Sequence, residues 1–244
     1  MENNIPNFNA QYIIFHENIN FLDLRIIKAN EILERNRLQQ IQNELSTLDV
    51  KMRLAFGIRE ILLNNDFVSD KQNDLKLCHF LYYKLADLWF AYDYYLKFYK
   101  KVIGTSKNNV EWIDAIVHNN YSATAEIILA KVAVNERFQE LYNNVAHINL
   151  VTDYLTHCKT NASNSQKTRI DQIILKIQQQ PFGLTNSEIL TITYAVRNNF
   201  VHNGETTVVP DNFGYQNKAQ LLQVLYSYLA VILLVSSNVT FSRI

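Results

Sequence analysis

The sequence predicts an all-α protein, on three observations. Turn-forming residues are scarce: 5 Gly and 3 Pro in 244 residues, where average usage would give roughly 17 and 12. Apolar positions recur at helical rather than alternating spacing over most of the chain. Hydrophobic residues make up 48%, enough for a sizeable core and too many for a disordered chain. Sandwiches, barrels and Gly-rich α/β folds need turns that this composition does not supply.

Residues 1–16 read as an Asn-rich arm carrying Tyr12, Ile13, Ile14 and Phe15. Glu17 to Glu44 shows helical periodicity through Leu22, Ile26, Leu33 and Leu38, and Leu48 to Leu63 repeats it through Met52, Phe56 and Ile61. Ser69 to Asp74 reads as a loop. Asp74 to Val102 is the most apolar long helix, with aromatic groups from Phe80 to Tyr99 almost all round it, so it belongs at the centre of the bundle. Lys97, Lys100 and Lys101 oppose its dipole, and Gly104 stops it. Trp112 to His118 is a shorter apolar piece. Ser122-Ala123-Thr124-Ala125-Glu126 approaches capping-box form and opens a helix to Tyr142.

Ile148 to His157 and Ile170 to Gln180 predict further helices on either side of a polar loop at Thr160 to Ser165. Thr185-Asn186-Ser187-Glu188 is an N-terminal cap with an early acid, and Asn203-Gly204 is a C-terminal stop. A last helix covers about Lys218 to Ser236. Its unbroken apolar stretch, Leu229 to Val235, is well short of the ~20 residues a membrane span needs, which predicts a buried helix and no membrane association. The organisation expected is an arm and helical extension over 1–73 and a helical bundle over 74–244, with one continuous domain over 17–244 as the alternative.

Charge is balanced, 23 Lys+Arg against 23 Asp+Glu. That argues against strong non-specific nucleic-acid binding but leaves room for a local phosphate site. Cys78 and Cys158 are too few for a disulfide framework and read as thiols of a cytoplasmic protein. No secretory signal is visible at the N-terminus. His79, His118, His147 and His157 have no metal-ligand spacing, and neither a metal nor a cofactor is expected.

The segment that carries chemistry is Tyr194-Ala195-Val196-Arg197-Asn198-Asn199-Phe200-Val201-His202-Asn203-Gly204. Five residues on an ideal helix separate Arg197 and His202 by about 140°, so they converge only if the helix ends or turns between them. Arg binds phosphate oxygens bidentately and stabilises charge growing on them. His exchanges a proton near neutral pH, and Asn198 can orient either group. On physics alone, an Arg and a His at a helix end more often cap it than catalyse.

Arg197-Asn198-x-x-x-His202 followed by Gly204 resembles the Arg-x4–6-His motif of the HEPN superfamily. These are helical-bundle domains, many of them ribonucleases of prokaryotic defence and toxin–antitoxin systems. The polar residue the family has after the Arg is matched by Asn198. The resemblance implies a HEPN-like helical bundle with additional N-terminal and inserted helices. It implies a metal-independent RNA endonuclease in which Arg197, Asn198 and His202 act, leaving 2′,3′-cyclic phosphate ends. RNA is the implied substrate. One motif per chain implies a homodimer, and toxin-like relatives imply an antitoxin or regulatory protein as a further partner. Asp93 and Asp87 lie where larger HEPN-like proteins place a polar group facing the motif. They and Asn203 are the supporting candidates, with Lys97 and Lys84 as the competing ion-pair partners of the two carboxylates. The alternative function is a non-catalytic HEPN-like module that binds a nucleotide, RNA or a protein.

Overall fold

The computed structural model describes residues 8–62, 73–104, 107–115, 119–160, 162–202, 211–242 and 244. Among them the secondary structure is helical, with no strand. In chain order the helices are α1 (Phe8–Lys28), α2 (Ile32–Gly57), α3 (Asn73–Ile103), the single turn α4 (Asn119–Ser122), α5 (Ala125–Leu141), α6 (Val145–Cys158), α7 (Asn164–Gln178), α8 (Asn186–His202) and α9 (Tyr215–Phe241). Short 3-10 turns cover Trp112–Asp114 and Asp211–Phe213.

The bundle is built on α3 and α9, which make the most extensive helix pair. α3 buries Leu81, Leu85, Leu88, Tyr92, Tyr95 and Tyr99, and α9 buries nearly every residue from Leu221 to Val235. Tyrosines at the centre of a core need partners for their hydroxyls, and Tyr82, Tyr92 and Tyr95 of α3 have them. Tyr95 donates to the Ser236 carbonyl at 3.1 Å and shares a bond with Thr240 at 2.8 Å. Tyr92 donates to the Asn109 carbonyl and accepts from Trp112, both at 2.7 Å. Tyr82 and Tyr154 bond to each other at 2.9 Å. α9 is long and apolar enough to cross a membrane, and 78% of its most apolar stretch is buried inside the bundle.

Around this pair, α2 lies on α3, α5 lies on α9, and α1 rests on α2 and α9. Phe15, Leu48, Met52 and Ala55 of the N-terminal helices share one core with α3 and α9. Asp49, itself buried, joins α2 to α1: it accepts from Arg53 at 2.7 Å and lies near His16 and Tyr12. α6, α7 and α8 form the remaining layer, with α8 also against α3.

Several sequence expectations change, among them the end of the second helix, at Gly57 rather than Leu63, and the start of α7, at Asn164 inside the expected Thr160–Ser165 loop. The arm over 1–16 is helical from Phe8, because Phe15 reaches the core and Phe8 packs edge-on against Phe56 at 4.9 Å. The single helix expected over Glu17–Glu44 breaks at residues 29–31, and the periodicity continues without a gap from α2 across Leu45 and Leu48. Arg35 fixes this reversal by donating to the Ala29 carbonyl at 2.7 Å, and Leu22, Leu38, Ile41 and Leu45 form a small second core across it. α5 begins at Ala125 rather than Ser122, because Thr124 donates its N–H back to Tyr121 and closes the preceding turn.

Other ends match their local signals. Gly104 takes φ +76°, a left-handed conformation, and its N–H closes α3 onto the Lys100 carbonyl at 2.9 Å. Thr185 and Glu188 form a reciprocal capping box. The Glu188 N–H donates to Thr185 Oγ1 at 3.2 Å, and the Thr185 N–H donates to Glu188 Oε2 at 2.7 Å.

Candidate functional site

α8 carries the Arg-Asn-x-x-x-His segment, and both of its ends matter. At the N-terminus the capping box is joined by Asp114 from the turn before α4. Its Oδ2 accepts from the Ser187 N–H at 2.7 Å and its Oδ1 from Asn186 Nδ2 at 3.0 Å, while Asn186 Oδ1 accepts from Tyr228 of α9 at 2.8 Å. A carboxylate at a helix N-terminus satisfies an orphan N–H and opposes the dipole. Along α8, Ile189, Leu190, Ile192, Ala195 and Val196 are buried. Thr191 and Thr193 return their hydroxyls to the carbonyls four residues back, which lets them fit inside the helix.

At the other end, helix geometry continues through His202. Arg197 and His202 therefore meet without the fraying that their spacing had implied. The long Arg stem bridges the angle, and Arg197 Nη1 lies 3.0 Å from His202 Nε2 and donates to Asn198 Oδ1 at 2.9 Å. A guanidinium has donors only. Nε2 must then be the acceptor in this contact, which puts the ring proton on Nδ1.

Arg197 is only 7% exposed, and its Nε has no acceptor among the described residues. Burial lowers its pKa, opposed by the neighbouring Tyr194 and Asp93. The guanidinium lies over the Phe90 ring of α3, 4.6 Å from its centroid. That contact is a cation–π interaction, favoured because the ring face is electron-rich. α3 and α8 touch through further aromatics: Trp89 on Tyr194 at 5.3 Å and Tyr82 stacked on Phe200 at 4.7 Å.

The structure thus brings Arg197, Asn198 and His202 together. Asp93 reaches Arg197 only through its charge. Its own hydrogen bonds go to Asn109 Nδ2 at 2.6 Å and Lys97 at 3.0 Å, four residues on. Asp87 is half-buried with its pKa raised by burial, and lies beside Phe90 in a separate cleft of about 250 Å³. Asn203, Gly204 and His118 lie outside the described residues. Among the described residues, no cluster of His, Cys, Asp and Glu forms a metal-ligand set. His79 packs edge-on against Tyr83 at 5.0 Å, and burial lowers its pKa.

Asn198 and His202 open onto a cleft of about 230 Å³ whose other walls include Tyr194 and Gln166. No protein family, curated protein or solved structure matches the chain.

Two residues of this site were not singled out by the sequence reading. Phe90 is one of many aromatics on an apolar helix, and Tyr194 opens the motif segment with no role of its own. Their spacing offered a faint signal: 194, 198 and 202 are four apart and share one face of α8.

Proposed function

We propose that this protein is a metal-independent RNA endonuclease of the HEPN type. The observation that carries the reading is the 3.0 Å contact between Arg197 and His202 at the edge of an open cleft. The motif's two functional side chains, far apart in angle on an ideal helix, meet beside the cleft that Asn198 and His202 line.

RNA cleavage of this kind needs a base, an acid and a cation. The ribose 2′-hydroxyl gives its proton to a neutral imidazole and attacks the adjacent phosphorus. The P–O5′ bond breaks, and the 5′-oxygen takes a proton. The products are a 2′,3′-cyclic phosphate and a 5′-hydroxyl. An incoming phosphate offers Arg197 a better acceptor than His202 Nε2, because a charged acceptor makes the stronger hydrogen bond. The exchange frees Nε2 to act as the base and leaves the guanidinium on the oxygens that gain charge in the pentavalent state. Asn198 and Phe90 hold the guanidinium from two sides. One chain supplies one imidazole, so the acid comes from a second copy in a homodimer or from a related partner chain. This reading places the enzyme in the cytoplasm, in a prokaryotic defence or toxin–antitoxin setting with an antitoxin or regulatory protein.

The test is incubation of the protein with end-labelled RNA in excess EDTA. Wild type cuts and leaves cyclic phosphate ends. His202→Ala and Arg197→Ala each lower the rate by about 100-fold or more. Cleavage that survives His202→Ala, or that needs Mg²⁺, overturns the mechanism.

The burial of Arg197, with its Nη1 held by Asn198 and His202 of its own helix end, favours a second reading, a HEPN-like module that binds a nucleotide, RNA or a protein without cutting. RNA binding without cleavage under any condition would establish it.

A further inference from the structure

The cleft at His202 does not stand alone. It shares Ser163, Gln166 and Tyr194 with a second cleft of about 310 Å³ that runs on to Lys100, Asn109 and Arg169. On α8 the continuous wall is Thr191, Tyr194, Asn198 and His202, spaced three, four and four residues apart on one helix face. Eleven residues of α-helix cover about 16 Å, longer than a single nucleotide.

The lining of this groove contains the cations Lys100 and Arg169 and no carboxylate, in a chain whose total charge is zero. Lys100 gives one N–H to Asn109 Oδ1 at 2.8 Å and has no carboxylate at ion-pair distance among the described residues. Arg169 pairs with Glu111 through one end of its guanidinium. Tyr194 lines both clefts and is backed by Trp89 at 5.3 Å. Its hydroxyl makes no hydrogen bond among the described residues. The cleft beside Phe90 is different: Asp87 and Asp93 both line it, together with Lys51 and Lys97. Those carboxylates repel a polyanion, whereas none lines the Tyr194 groove, where Glu111 sits behind it on Arg169.

We infer that the groove from His202 across Tyr194 to Lys100 and Arg169 holds the single-stranded RNA on one side of the cleavage point. Tyr194 stacks on a base, because every base presents a π-face to a fixed aromatic ring. Lys100 and Arg169 hold a backbone phosphate beyond it, and Ser163 and Gln166 add neutral donors. The inference rests on the proposed RNA chemistry but makes a separate claim: binding and cutting use different residues along one track.

The experiment uses a short fluorescein-labelled RNA with 2′-O-methyl groups throughout, which removes the attacking hydroxyl, read by anisotropy with the full-length protein. Lys100→Gln and Arg169→Gln each weaken binding about three- to ten-fold and lower the salt slope by about one. Tyr194→Ala weakens it by about ten-fold, whereas Tyr194→Phe binds like wild type. Lys51→Gln, in the carboxylate-lined cleft, changes nothing. Unchanged thermal midpoints show that the variants are folded. Cleavage of unmodified RNA is measured beside each titration. If wild type cuts RNA in a His202-dependent way but the groove variants bind normally, the groove assignment is wrong and the endonuclease reading stands. If binding depends on the groove but nothing is cut, the groove stands and the endonuclease reading falls. A wild type that neither binds nor cuts removes both.

Discussion

Asp114→Ala tests whether a residue far from the motif in sequence sets the position of the helix that carries it. The carboxylate accepts from the Ser187 N–H at 2.7 Å, in the first turn of α8, and from Asn186 at 3.0 Å. Losing a capping acceptor of this kind costs about 1 kcal/mol. Losing a negative charge at a helix N-terminus costs about 0.5 kcal/mol more at an exposed position. Asn186 is buried, but Asp114 itself is exposed, so water can replace the second bond and it adds little. The sum is about 1.5 kcal/mol. In a protein of this size that lowers the thermal midpoint by about 3–6 °C. Asp114→Asn keeps an acceptor for Ser187 and loses only the charge, so its midpoint falls by about a third as much. High salt narrows the gap between wild type and Asn, since the dipole interaction is screened. Thermal unfolding followed by circular dichroism at low and high salt reads all of this. A midpoint for Asp114→Ala equal to that of wild type refutes the capping argument. An Asn variant as unstable as the Ala variant refutes its division into bond and charge.

Other expectations follow from the same environment. Asp87→Asn raises the thermal midpoint at neutral pH: burial raises the Asp87 pKa in the folded state, so ionisation opposes folding. The gain disappears when the pH falls below the unfolded carboxylate value of about 3.9, where both forms are neutral. A gain that persists in acid contradicts the assignment. His79 has the opposite sign, since burial lowers its pKa and folding favours the neutral ring. Its contribution is complete above the unfolded value of about 6.5 and fades as the pH falls toward the folded value, and His79→Gln removes that part of the acid sensitivity in denaturant titrations. Phe90→Ala and Arg197→Ala show a coupling of about 0.5–1 kcal/mol in a double-mutant cycle, because the guanidinium lies 4.6 Å from the ring centroid. Additive losses discount that contact.

What the sequence determined by itself is local. Helix caps depend on residues within one turn of each other, so the Thr185–Glu188 box and the left-handed Gly104 stop were legible as motifs. Apolar content around the whole circumference marked α3 and α9 as buried, because no orientation of such a helix keeps its surface wet favourably. The Arg197–His202 pair was legible as a motif, yet its geometry was not, because helical spacing alone keeps the two apart and only the reach of one side chain closes the gap. The remaining features depend on groups distant in the chain. The reversal at residues 29–31 is set by packing of α1 against α2 rather than by Gly or Pro, so nothing in the local sequence marked it. The polar group expected to face the motif was Asp93 or Asp87, since a carboxylate on an apolar helix is costly unless paired. The structure instead gives Asp93 to Lys97 and Asn109 and sets Phe90 beneath the guanidinium. The Tyr194 groove draws its cations from α3 and α7 and the Asp114 cap comes from outside α8 altogether. Such contacts cannot be read from a helical period, which says which face of each helix is buried but not which other helix it meets.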